Sequence, residues 1–288
     1  MRAPVVLLAL LAAAPAATVP TLRTVLVAGE GLNEPFGVTF DESGNLYIVE
    51  MGGNRIRVRG RDGRLSVLAG TGEKGFGGDG GPALQARFGG IYSIAFRHGI
   101  LYVCDLDNRR VRAVDLKTGI VTTVAGNGEK GVPRDGGEAR AQPLVDPRAI
   151  ALDSVGNLYI CERGGHALRV VDTAGRIRTV AGTGEAGFAG DGGPALQARL
   201  NGPKHISVDG EGAVLVADTE NHVIRRYTPR DGMIRRVAGT GEKGAAGLGG
   251  PPESCPLNRP HGAVHHPATG DIYVSDSENH RVIRIERP

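Results

Sequence analysis

The chain has no tryptophan, and its six phenylalanines and six tyrosines bring aromatic residues to only 4% of 288. Its three cysteines, Cys104, Cys161 and Cys255, are too few and odd in number for a disulfide scaffold. Lysine and arginine together number 34, of which only five are lysine, and the formal net charge is +3. So weak a charge gives no nucleic-acid footprint. No Gly-x-Ser-x-Gly, His-Glu-x-x-His or Cys-x-x-Cys occurs. That removes the nucleophile elbow, the zincin helix and the paired-thiol motif. His265-His266 is unusual, since His265 stands where the other units are expected to bury Phe40, Phe96, Leu152 and Val208, but its spacing matches no strong zinc pattern, and a locally satisfied histidine is the expectation. Apolar runs are short as well. The longest, Val5 to Ala14, is too short to span a bilayer comfortably.

Glycine is in excess, with 46 residues beside 17 prolines. A helical bundle could not tolerate so much. Disorder is excluded because 40% of the chain is hydrophobic and arranged in short regular runs. At the N-terminus, Arg2, the apolar run and Ala14-Pro15-Ala16 read as a secretory signal over residues 1–17. A single domain over residues 18–288 is then expected, secreted or periplasmic, monomeric and without a membrane span.

Five units begin in parallel at Pro35, Ile91, Pro147, Pro203 and Pro260, about 56 residues apart. Each holds an apolar strand, a turn, a second strand ending in an acid, a third strand rich in arginine, and a glycine turn into a fourth such as Thr179-Val180-Ala181-Gly182. One such sheet cannot bury both faces, whereas sheets stacked radially can. The expected fold is therefore all-β: a five-bladed β-propeller with four antiparallel strands per blade. The fifth unit ends after its third strand, and Thr24-Val25-Leu26-Val27-Ala28-Gly29 reads like a fourth, so the N-terminal strand is expected to close the last blade.

Asp218-Thr219-Glu220-Asn221-His222-Val223-Ile224-Arg225 and Asp276-Ser277-Glu278-Asn279-His280 carry a motif that resembles the NHL-repeat family, of a secreted bacterial type. Asp105-Leu106-Asp107-Asn108-Arg109 is a variant, while Gly53-Asn54 and Gly165-His166 depart from it. The resemblance covers essentially the whole mature chain. It implies interaction platforms, carbohydrate or peptide binders, lactonases or lyases.

Repetition also sorts structure from function. What recurs in every blade serves the fold, and what breaks the pattern is the better candidate site. The acids Glu50, Asp105, Glu162, Asp218 and Asp276 recur, so they are expected to accept N–H bonds from the following turn or to pair with third-strand arginines. Their alternative role is a carboxylate ring holding calcium. His166, His222 and His280 recur as turn supports. Small core residues are expected at Cys104 and Cys161. In the loops Gly70–Ala83 and Gly182–Ala195, Asp79 and Asp191 are expected to cap a one-turn helix with Pro82 or Pro194 at its first position.

Strand alternation brings the acids, the Asn-His turns and the long loops to one end of the ring. At its central mouth five first strands present Phe36, Tyr92, Arg148, Lys204 and His261, followed by Gly37, Ser93, Ala149, His205 and Gly262. The mouth is thus basic on one side, through Arg148, Lys204, His205 and His261, and aromatic on the other. Such a mouth suits an anionic or polyhydroxylated ligand, with a protein, peptide or carbohydrate as partner and no cofactor. The competing expectation is a metal-assisted lactonase or lyase using the top-face acids and a mouth histidine.

Overall fold

A computed structural model describes residues 26–29 and 31–286. It is all-β, with five antiparallel sheets, one per sequence unit, and helix limited to single 3₁₀ turns. The first blade holds Pro35–Phe40, Leu46–Glu50, Arg55–Arg59 and Leu65–Ala69. The third holds Pro147–Leu152, Leu158–Glu162, Ala167–Val171 and Arg176–Ala181. First strands of consecutive blades pack side by side from the first blade to the fifth.

Four apolar clusters fill the four seams between consecutive blades. Tyr47, Val49 and Ile56 meet Leu101 and Val103 between blades one and two. Cys104 and Val111 meet Ile150 and Ile160 in the next seam. Cys161 and Leu168 meet Val214 and Val216 in the third, and Leu215 and Ile224 meet Val274 in the last. Alternation of side chains across each strand puts one face of every sheet into each seam. All three cysteines are free and buried.

The long loops do two things. Each carries a 3₁₀ turn, at Ala83–Gln85, Ala139–Ala141, Ala195–Gln197 and Pro252–Ser254. Two of them also lay a short strand along the next blade's outer edge, Gly137–Glu138 on Arg176–Ile177 and Gly193–Pro194 on Ile234–Met233. This covers backbone that would otherwise be an open edge. The expected caps are corrected here. Pro82 and Pro194 occupy the cap position, and no side chain caps these turns. Asp79 instead pairs with Arg112 at 2.7 Å, and Asp191 with Arg225 at 2.8 Å. A buried guanidinium draws the carboxylate more strongly than one N–H does.

Blade five is different. Among the described residues it has three strands, Gly262–His265, Ile272–Asp276 and Arg281–Ile285. Of the expected closing strand, Thr24 and Val25 lie outside the described residues, as do residues 1–17. Leu26–Gly29 carry no strand, and Leu26 is 82% exposed. Beside the third strand, a cavity of about 410 Å³ separates Ile283–Glu286 from the loop residues Gly247–Pro252. In the third and fourth blades the equivalent loop pairs with the outer edge of a fourth strand, so this cavity lies where that strand stands. No packing of comparable extent joins the first strand of blade five to that of blade one. Accordingly, Val38 and Phe40 are 58% and 60% exposed, and Val282 68%.

Candidate functional site

The recurring acids prove to be internal fasteners. All five are buried. Each accepts a backbone N–H from the segment entering its own blade: Glu50 from Asn33 (2.8 Å), Asp105 from Gly89 (2.7 Å), Glu162 from Val145 (2.5 Å), Asp218 from Asn201 (2.7 Å) and Asp276 from Asn258 (2.7 Å). The expected donor was the turn that follows. That turn contributes a side chain instead, as Asn108, Asn221 and Asn279 donate to Asp105, Asp218 and Asp276. Third-strand arginines complete each pair, with Arg57, Arg112, Arg169, Arg225 and Arg281 at 2.7–3.6 Å. Burial pushes the Asp105 and Asp218 carboxyls upward, against the pull of these donors. The five carboxylates are each engaged inside separate blades, and no group of three or more His, Cys, Asp or Glu among the described residues is placed to hold a metal.

The Asn-His turns staple neighbouring blades. Their last residue is left-handed in every blade: Asn54, Arg109, His166, His222 and His280 have φ between +46° and +56°. That twist aims the side chain at the next blade. Asn54 Oδ1 accepts the Gly90 N–H, His166 Nδ1 the Gly202 N–H, and His222 Nδ1 the Arg259 N–H.

The six pattern-breaking residues come together. Phe36, Tyr92, Arg148, Lys204, His205 and His261 line one cavity of about 340 Å³, with Gly37, Val38, Ser93, Ile94 and Ala149. Gly37 makes this possible. A Cβ there would stand 2.7 Å from the Tyr92 carbonyl oxygen, so only glycine lets the first two blades approach this closely. Phe36 then meets Tyr92 edge-on, with ring centroids 4.4 Å apart. The Arg148 guanidinium lies 3.5 Å above the Tyr92 ring and 5.4 Å from that of Phe36.

Lys204 Nζ lies 3.2 Å from Glu220 Oε1 and 3.1 Å from His261 Nε2. His261 Nδ1 faces the Arg259 carbonyl at 2.9 Å. A carbonyl only accepts, so Nδ1 carries the proton and Nε2 accepts from the lysine. Burial lowers the pKa of Lys204, His205 and His261, and the Lys204 charge lowers that of His261 further. His205 Nδ1 is buried with no hydrogen-bond partner. The residues that sequence reasoning missed are Glu220, which pairs with Lys204, and Arg259, which grips Glu220 in a two-pronged ion pair. Both belong to loops whose recurring look hid their local role.

His265 lies elsewhere, with Nε2 3.7 Å from Asp209 Oδ2. Its equivalents Phe96, Leu152 and Val208 are only half-buried and Phe40 is exposed, so this position is less internal than the pattern suggested.

The NHL repeat family model matches residues 257–285, which form most of blade five. NHL repeat-containing protein 2 of Gallus gallus is 28% identical over 277 residues, covering 86% of this chain and 38% of the relative. The chain thus spans less than half the length of that curated relative. Among solved structures, an auxiliary nutrient binding protein from Bacteroides ovatus superposes with a TM-score of 0.67 at 19% identity, over 89% of this chain and 60% of that one. Virginiamycin B lyase from Staphylococcus aureus gives 0.54 at 15%, over 89% and 71%. At these identities the structures share the fold. Repeat motif, relative and architecture agree that the chain is an NHL-repeat β-propeller.

Proposed function

We propose that this propeller is an exported, monomeric, non-catalytic binding module. Its ligand, anionic or polyhydroxylated or borne on a partner protein, sits in the central mouth. One observation carries the reading: the six side chains that break the repeat converge on a single cavity, while the recurring polar residues are consumed inside the blades. A repeat under structural constraint alone has no reason to diversify there. A nutrient binding protein with the same architecture supports a binding role. Export rests on the N-terminal pattern of Arg2, the apolar run and Ala14-Pro15-Ala16. No helix among the described residues is long and apolar enough to cross a membrane.

The test is a thermal-shift panel of organic anions, sugars and peptides on the wild type and on a Phe36→Ala/Arg148→Met/His261→Ala variant. At least one ligand class is expected to raise the wild-type melting temperature and leave that of the variant unmoved. Equal shifts in both proteins for every stabilising compound would place binding outside the mouth.

A further inference from the structure

We propose that the mouth takes an amphipathic carboxylate: a singly charged anion with an apolar body. This rests on the mouth reading above and narrows it from anionic or polyhydroxylated ligands to one chemical class. The first observation is the state of Arg148. The recurring third-strand arginines Arg57, Arg112, Arg169, Arg225 and Arg281 each have a carboxylate, but Arg148 has neither an ion pair nor a hydrogen-bond acceptor among the described residues. Its guanidinium is nevertheless fixed over Tyr92. A guanidinium held by its face keeps its N–H edges free, and those edges match a carboxylate in a two-pronged geometry.

The second observation is charge. Lys204 is already matched by Glu220, which also takes Arg259, and Arg259 reaches Glu278 at 3.8 Å. With two cations and two carboxylates balanced there, Arg148 leaves one uncompensated positive charge. One charge suits a carboxylate better than a phosphate dianion. The third is the wall below. One to two residues further along the first strands, about 3–7 Å deeper, the cavity is bounded by Ala149, Val38 and Ile94. Ser93 Oγ already accepts the Ile150 N–H. A sugar would bury hydroxyls against carbon here, at a cost for each one left unpaired. A hydrocarbon body would instead gain by covering Val38 and Phe36, both more than half exposed.

Ligand-observed NMR titration of the full chain tests this with four probes: 3-phenylpropionate, its neutral isostere 3-phenylpropan-1-ol, gluconate and inorganic phosphate. Saturable binding of 3-phenylpropionate is expected, about tenfold tighter than each of the others. Arg148→Met should weaken it by about 10- to 100-fold, the worth of a charge-assisted pair, with an unchanged melting temperature. Phe36→Ala should weaken the carboxylate and the alcohol alike. Gluconate or phosphate binding more tightly, still through Arg148, would overturn the amphipathic class and leave the mouth reading intact. Probe binding indifferent to Arg148→Met and Phe36→Ala, or no binding of 3-phenylpropionate at all, would overturn this proposal. The panel on the triple variant, which spans sugars and peptides as well as organic anions, judges the mouth reading separately.

Discussion

Blade three and blade five have nearly the same strand pattern and very different surroundings. In blade three every residue of Leu158–Glu162 and Ala167–Val171 is buried. In blade five the equivalent strand Ile272–Asp276 buries only Val274 and Asp276, and Arg281–Ile285 alternates between half-buried and exposed. His222, in blade four, accepts an N–H from the blade that follows. His280 has the same left-handed backbone, yet its ring is exposed and finds no hydrogen-bond partner among the described residues. The same residues are fasteners where a neighbour stands beside them and surface where none does. Burial here comes from the neighbouring blade, which is the logic of a repeat protein.

Deleting residues 18–29 acts on this difference most strongly. If that segment supplies the strand missing from the slot beside Arg281–Ile285, the shortened protein should aggregate or melt far earlier. Unchanged melting would show that the segment does not complete blade five. Next comes the closed seam: Leu168→Ala, in the cluster between blades three and four, should cost about 2–5 kcal/mol in chemical denaturation. His222→Ala should cost about 1 kcal/mol by orphaning the Arg259 N–H, while His280→Ala should cost close to nothing. Equal costs for the two histidines would mean that the ring is closed in solution. Smallest is Val282→Ala, on the open side, expected within about 0.5 kcal/mol.

Much of this was legible in the sequence because a 56-residue period leaves little freedom. Strand order, the turn histidines and the six mouth residues follow from counting positions along the repeat and from strand alternation. Other features were hidden because they depend on distances between blades. The sequence does not show that Asp79 and Asp191 serve Arg112 and Arg225 rather than their own turns. Nor does it show that Glu220 holds Lys204 while itself gripped by Arg259. The Phe40 position looked internal since its counterparts are apolar, but a side chain is buried only if another blade covers it.

The central claim is that recurring polar residues hold the propeller together and that the residues breaking the repeat are free to bind. Arg225 and Arg148 separate the two roles without any ligand. Both are arginines in the ring, but Arg225 is fully buried against Asp218 and Asp191, and Arg148 faces the mouth unpaired. Thermal unfolding of Arg225→Met and Arg148→Met measures the difference. Removing one partner of a buried ion pair costs about 3–5 kcal/mol, so Arg225→Met should melt roughly 10 °C lower, with Arg148→Met within about 2 °C of wild type. Equal losses, or a larger one for Arg148→Met, would contradict the claim and make Arg148 part of the frame.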